Sequence, residues 1–167
     1  MKKIVSIVAA ALLACSTPLA VAQGNPVAVF DVPAGEACTA FALHVELYGS
    51  RNVYREYRDK NGELVRVFTG GRGYALKFVN AASGNTLSLR PNGSNDTTTF
   101  NADGTQTIVT TGHYVLIYFS TDLATGGTPF ARQYIGRVVQ NVNPSTGVYT
   151  LLRASGTVTD LCAALAG

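Results

Sequence analysis

The sequence predicts an all-β protein whose antiparallel strands form an up-and-down meander, close into a β-barrel and end in a short C-terminal helix. Its 167 residues are 47% hydrophobic and 14% charged, which suits one folded domain and excludes a disordered tail, a collagen-like fibre and a coiled coil. Tight turns, most with Asn or Asp before Gly, place glycines at positions 62, 84, 104, 126 and 147. The intervals of 22, 20, 22 and 21 residues indicate one structural unit per turn.

Residues 1–22 have the pattern of a signal peptide. Lys2 and Lys3 precede an apolar run over residues 4–14, and residues 20–22 (Ala-Val-Ala) supply the small residues of a cleavage site. This run is shorter than the ~20 residues that span a bilayer, so the sequence predicts export without a transmembrane segment.

A second cleavage site is possible within the same segment. Residues 12–15 (Leu-Leu-Ala-Cys) resemble a bacterial lipobox, in which Cys15 would carry a lipid and anchor the protein at the cell surface. We favour release into the periplasm or the extracellular space, because the leucine beside the small residue fits a lipobox poorly and an Ala-x-Ala site lies just downstream.

Residues 23–37 form an extended lead-in to the domain, since Pro26 and Pro33 disfavour a helix there. Residues 38–167 are predicted to form the single β-barrel domain. Within it, Cys38 and Cys162 are predicted to form a disulfide, as expected for a lone pair of cysteines in an oxidising compartment. Metal ligation and a reactive thiol are the alternatives, but no third Cys or Cys-x-x-Cys accompanies the pair, and no metal or cofactor is predicted.

Strand patterns begin at Cys38. Phe41, Leu43, Val45 and Leu47 alternate with polar or small residues, the period expected of a half-buried strand. Further strands are predicted at residues 64–68, 74–79, 86–89, 97–100, 105–110, 113–119, 133–142 and 148–152, which are rich in Val, Thr, Tyr, Phe and Ile.

Glycines also fall between the turns, near positions 70–73, 91–94, 112, 136 and 156. Each step is therefore either two short strands with a second turn or one long strand that is kinked at glycine. Both interpretations give a meander, and we favour a closed barrel over an open sandwich because closure removes exposed strand edges.

The C-terminus alone has a helical pattern. Thr159 or Asp160 can cap a short helix in which Leu161, Cys162 and Leu165 share one face. The disulfide would then tie this helix to the beginning of the domain.

The sequence contains no nucleophile elbow, zinc-protease motif, Walker loop or dinucleotide-binding fingerprint. Its eight tyrosines suggest a ligand cavity, because aromatic rings supply contact area and hydroxyl groups orient a ligand. The candidate ligand-binding residues are Tyr74, Tyr114, Tyr118 and Tyr134. His44 and His113 could instead act with a carboxylate as acid–base groups of a cyclase or isomerase, although nothing in their spacing requires it.

Positive charge concentrates in residues 51–90, which carry a formal charge of +5, whereas the net charge of the whole chain is only +3. Arg55, Arg58, Arg66 and Arg72 are therefore candidates for binding an anionic partner such as a cell-envelope polymer. Arg72 lies in a Gly-Gly-Arg-Gly run that could hold an anion, but no helix comes after it to strengthen such a site. Nucleic acid is not expected as a partner.

The order of the turns resembles that of small secreted bacterial proteins of actinobacterial type, a group of all-β proteins of unknown function. The resemblance rests on the turns at residues 59–62, 101–104 and 143–147 and on the terminal Asp160-Leu161-Cys162 motif. It implies export and β architecture, and it implies no activity.

The function predicted first is binding of a small apolar or amphipathic ligand inside the barrel. The alternatives are an envelope or surface interaction protein that uses the basic 51–90 sector, and, third, a barrel-type cyclase or isomerase. These assignments rest on analogy of fold and on charge, since no motif specifies a reaction.

Overall fold

The computed structural model describes residues 24–91, 93–124 and 127–167. These residues form ten strands, one 3₁₀ turn and one short helix. The elements are β1 (Ala28–Val32), β2 (Leu43–Tyr48), β3 (Asn52–Arg58), β4 (Leu64–Gly71), β5 (Ala75–Asn80), β6 (Thr86–Leu89), β7 (Ser94–Phe100), β8 (Gln106–Tyr118), the 3₁₀ turn (Ser120–Asp122), β9 (Phe130–Asn143), β10 (Val148–Asp160) and α1 (Leu161–Ala166). The predicted signal peptide and the lipobox cysteine lie outside the described residues.

The strands form two antiparallel sheets. The first contains four strands in the order β1-β2-β5-β6, and the second contains six in the order β10-β9-β8-β7-β4-β3. The all-β antiparallel class and the C-terminal helix are thus confirmed. Over the described residues the strand pairing closes neither sheet into a barrel, so barrel closure stays a prediction.

The chain crosses between the sheets three times in its first half, at residues 49–51, 72–74 and 90–93. By contrast, β8, β9 and β10 run through the central glycines as single strands of 13 or 14 residues. Both interpretations of the repeat therefore hold, two short strands per step early in the chain and one long strand per step later. The lead-in also differs from expectation, because β1 pairs with β2 as an edge strand.

A row of glycines crosses the six-stranded sheet in register. Gly112 pairs with Gly136, which pairs with Gly156, and Gly71 occupies the same row on β4. Gly136 and Gly156 have φ of 148° and 103°, a region that side-chain-bearing residues rarely adopt. We call Gly71, Gly112, Gly136 and Gly156 the glycine row; the long strands bend there, as the sequence suggested.

Alternate residues of β8 enter two different cores, because successive side chains of a strand point to opposite faces. Val115 and Ile117 pack on the main core, which includes Val45 and Phe78 of the four-stranded sheet. Leu116 and Tyr118 belong to a second core, together with two residues of β9, Tyr134 and Val138. Strand β8 therefore separates an apolar core from one rich in tyrosine.

Helix α1 completes the main core. The Asp160 carboxylate accepts a hydrogen bond from the backbone N–H of Ala163 at 3.0 Å, which confirms Asp160 as the N-cap. Leu161 and Leu165 are fully buried, and Leu165 O accepts a hydrogen bond at 3.2 Å from the Asn80 side chain. The helix thus holds the end of the chain against the four-stranded sheet.

The Cys38–Cys162 disulfide is present and joins α1 to the N-terminal part of the domain. Cys38 lies in the loop between β1 and β2, whereas the sequence analysis placed it at the start of a strand. With only 1% of its surface exposed, Cys38 is part of the main core.

Candidate functional site

A cleft of about 230 Å³ lies beside the glycine row, where the two sheets separate. Strand β7 pairs with β8 only from Gln106 to Gly112, so beyond Gly112 this edge of β8 has no paired strand among the described residues. Strand β6 likewise has β5 as its only paired neighbour there. The two unpaired edges leave room for the cleft, and the row of bends determines where it opens.

The cleft walls differ in chemical character. Leu76, Leu89 and Val115 form an apolar side that draws on β5, β6 and β8. Asp96 and Tyr114 supply polar groups from β7 and β8. The remaining lining residues are Asn52, Thr69, Gly70, Gly73, Tyr74, Arg90, Gly93, Ser94, His113 and Gln133. A cleft with apolar walls and a few oriented polar groups is the usual form of a small-molecule site.

Asp96 lies in the middle of β7, directly opposite Thr110 of β8. Its Oδ1 atom is buried and makes no hydrogen bond, and Thr110 Oγ1 is also buried without a partner. Burial raises the pKa of Asp96, and the nearby Thr110 hydroxyl offsets only part of that effect. Asp96 is thus a partly desolvated carboxyl group whose hydrogen-bonding capacity is unused.

Tyr114 connects the cleft to a buried polar network. The Tyr118 hydroxyl donates a hydrogen bond to Oε1 of Gln140, and both of these residues are at most 3% exposed. The Gln140 side chain is also hydrogen-bonded to Tyr114. Burial, together with the nearby Asp96, raises the pKa of Tyr114 to about 12, so its hydroxyl stays protonated at neutral pH.

Replacing Asp96 should change the pH dependence of stability. Because burial raises the pKa of Asp96 in the folded state, ionisation of this carboxyl lowers stability as the pH rises through that pKa. Asp96→Asn carries no charge, so we expect it to be more stable than the parent protein near neutral pH, by on the order of 1 kcal/mol after allowance for partial exposure. The gain should shrink as the pH falls towards the ordinary range of an Asp carboxyl, which thermal unfolding across acidic and neutral buffers would measure.

Asp103 provides a control of opposite sign. Hydrogen bonds from Thr105 lower the pKa of Asp103, so Asp103→Asn should reduce stability near neutral pH and have less effect in acid. If Asp96→Asn and Asp103→Asn shifted stability in the same direction, the assignment of Asp96 as a desolvated carboxyl would be wrong.

The four predicted ligand-binding tyrosines occupy two places. Tyr74 and Tyr114 line the cleft, with Tyr74 41% exposed at its rim. Tyr118 and Tyr134 are buried in the second core and do not line the cleft. Tyr118 acts behind the cleft through Gln140, whereas Tyr134 fills the core.

The structure does not place the two histidines in one site. His113 lines the cleft, as Asp96 does. His44 lies on β2, where Nδ1 is 2.7 Å from Asp31 Oδ1 and Nε2 is 3.5 Å from Glu46 Oε1. Glu46 also pairs with Lys77 at 2.9 Å. A site built from both histidines is therefore not formed, and the cyclase or isomerase hypothesis stays a prediction that depends on His113 alone.

The predicted anion-binding arginines are exposed on or beside the β3–β4 hairpin and do not line the cleft. Arg58 pairs with Glu56 at 2.7 Å and also donates to the backbone carbonyl of Gly62. Arg66 lies 4.5 Å over the ring of Tyr57. Arg55 lies on β3, and Arg72 comes directly after β4. Because two of the four arginines have partners inside the hairpin, the structure favours the cleft over this surface as the binding site.

Sequence reasoning missed Asp96, Gln140 and Arg90. Asp96 had a detectable signal, since Asp is depleted in strands and here lies among threonines that alternate between the two sheet faces. Gln140 had a weaker one, an amide in an otherwise apolar position of β9. Arg90 was counted in the basic sector, but its place at the cleft depends on the chain crossing from β6 to β7.

The described part of the chain offers neither a membrane-spanning helix nor a metal-binding cluster. No helix there is long and apolar enough to cross a membrane. Across residues 24–91, 93–124 and 127–167, no group of three or more His, Cys, Asp and Glu side chains is placed to hold a metal ion.

Comparisons with known proteins add no family. No family model matches the chain, and no curated protein or solved structure matches it. The resemblance to secreted actinobacterial proteins stays a prediction from the turn sequences.

Proposed function

We propose that the protein binds a small amphipathic molecule in the cleft between its two sheets. The observation that carries the proposal is the pairing of an apolar wall, formed by Leu76, Leu89 and Val115, with the unpaired Asp96 carboxyl on the polar side. Apolar surface supplies most of the binding free energy, whereas buried polar groups orient the ligand. The proposal depends on the cleft and does not require a closed barrel.

We also propose that the protein works outside the cytoplasm. The Cys38–Cys162 disulfide supports this location, because such bonds persist in oxidising compartments. The signal-peptide pattern of residues 1–22 supports it independently. Under this proposal the ligand is encountered in the periplasm or the extracellular space.

The first test asks whether the cleft binds an apolar probe. Tetralin, a two-ring hydrocarbon, should bind with a Kd in roughly the millimolar range, as expected for a probe of its size without polar contacts. Leu89→Trp should fill the cleft and weaken tetralin binding at least tenfold, a loss of about 1.4 kcal/mol or more. Chemical-shift changes in NMR titrations would give both the affinity and the residues contacted.

Leu152→Trp is the matched control, since Leu152 lies on β10, is 57% exposed and does not line the cleft. This variant should bind tetralin like the parent protein. Equal losses in both tryptophan variants, or shifts confined to residues outside the cleft, would contradict the proposal. Native mass spectrometry of protein purified from its own host would then show whether a natural ligand remains bound.

A further inference from the structure

Two polar groups of the cleft have hydrogen-bonding capacity that the protein does not use. Asp96 Oδ1 is a buried acceptor without a donor. A buried acceptor left unpaired costs free energy, which a bound ligand can recover by supplying the missing donor. Asp96 therefore selects for a ligand that carries an O–H or N–H group.

The network behind Tyr114 determines which hydrogen bond this tyrosine can make to a ligand. Because Tyr118 donates to Oε1 of Gln140, the amide group of Gln140 has only its N–H donors left for Tyr114. The Tyr114 oxygen then accepts from Gln140, and its own O–H is left to donate. Tyr114 thus selects for a ligand that carries an acceptor.

We infer that Asp96 and Tyr114 together recognise a hydroxyl group, so that the cleft is specific for small apolar alcohols. This inference rests on the proposed function and names the class of ligand for the same cleft. A hydroxyl group donates one hydrogen bond and accepts others, so it can satisfy the Asp96 acceptor and the Tyr114 donor at once.

Other polar groups satisfy only one of the two residues. A ketone accepts from Tyr114, but its oxygen lone pairs face an Asp96 carboxylate with no donor between them. A protonated amine pairs with Asp96 but cannot accept from Tyr114. Arg90, also at the cleft, disfavours a cationic ligand further. The hydroxyl group is therefore the best match to the residues present.

The rest of the ligand is constrained by the opposite wall. Leu76, Leu89 and Val115 offer only apolar contacts, and the cleft volume of about 230 Å³ suits a compact skeleton of one or two rings. The expected ligand thus carries its hydroxyl at one end and apolar carbon at the other.

Three probes with one skeleton test the inference. The alcohol tetralol, the ketone tetralone and the hydrocarbon tetralin differ only at one carbon atom. We expect the parent protein to bind tetralol about tenfold more tightly than tetralone or tetralin, as expected for hydrogen bonds that include a charged partner. Isothermal titration calorimetry or NMR titration near neutral pH would measure the three affinities.

Two substitutions separate the two contacts. Asp96→Ala should remove most of the preference for tetralol over tetralin, and Tyr114→Phe should weaken both tetralol and tetralone by a few-fold. Tetralin should bind both variants like the parent protein, which also shows that the cleft is still folded. Tyr54→Phe and Asp31→Asn are the matched controls, because both residues lie away from the cleft and should leave all three affinities unchanged.

The possible outcomes distinguish this inference from the proposed function. If tetralin binds in the cleft but tetralol shows no advantage, or if its advantage survives Asp96→Ala, hydroxyl recognition is wrong and the cleft remains a binding site. If none of the three probes binds in the cleft, the proposed function itself fails.

Discussion

Replacing both disulfide cysteines with alanine should lower the melting temperature by about 10–20 °C. The bond closes a loop of 124 residues, and in the chain-entropy model such a cross-link stabilises the folded state by about 4–5 kcal/mol. A loss of that size gives the stated change in melting temperature for a domain of this length. Alanine is preferred to serine, because position 38 is only 1% exposed and a serine hydroxyl would be buried there.

A reducing agent provides the internal control for this experiment. Differential scanning calorimetry should show that dithiothreitol lowers the melting temperature of the parent protein and leaves that of Cys38→Ala/Cys162→Ala unchanged. A double variant that melts within a few degrees of the parent would show that the cross-link does not constrain the unfolded chain as supposed. The stability of the domain would then rest on the packing of Leu161 and Leu165 alone.

The second large effect is expected at the glycine row. A Cβ atom at Gly136 would lie 2.2 Å from the backbone oxygen of Ser155 and 3.0 Å from the Cα of Gly156. Neither atom can move without separating β9 from β10, and the φ of 148° adds strain of its own. Gly136→Ala should therefore destabilise the protein by about 3 kcal/mol or more.

Gly104→Ala separates strain from lack of space. Gly104 also has a positive φ, 83°, but no atom lies within 4 Å of the Cβ position. This variant should cost only about 1 kcal/mol, the usual penalty for alanine in that conformation. Chemical denaturation of both variants would measure the difference. Similar losses at the two positions would mean that β9 and β10 tolerate a side chain between them.

The turns and the helix could be predicted because their signals are local. Asp160 can cap only a helix that begins at the next residue, and Gly104 permits a positive φ whatever the rest of the chain does. Alternation in β2 was also readable, since Leu43 and Val45 are buried on one face and His44 lies on the other. These features depend on neighbours within a few residues.

The division into two sheets could not be predicted, because it depends on which strands pair at a distance. The segment from Arg72 to Tyr74 crosses between the sheets, yet its sequence differs little from the glycine kinks within β8 and β9. Whether a glycine bends a strand or ends it depends on the strand beside it. The extension of β3 along the edge of the large sheet was missed for the same reason.

The candidate site was predicted in part. Tyrosine content pointed to Tyr74 and Tyr114, which do line the cleft, but composition could not separate them from the core residues Tyr118 and Tyr134. Asp96 reaches the site only because β7 and β8 pair in a register that places it opposite Thr110. That register is a property of the assembled sheet, and no local pattern reports it.

The contribution of α1 to the main core has a consequence for the order of folding. Residues from both ends of the chain, Val32 near the start and Leu161 and Leu165 at the end, fill the same core. That core cannot be completed until the last residues have been synthesised. Contacts between such distant positions slow folding, so the nascent chain should remain open until synthesis ends. A chain that folds late in this way stays available for transport in an extended form.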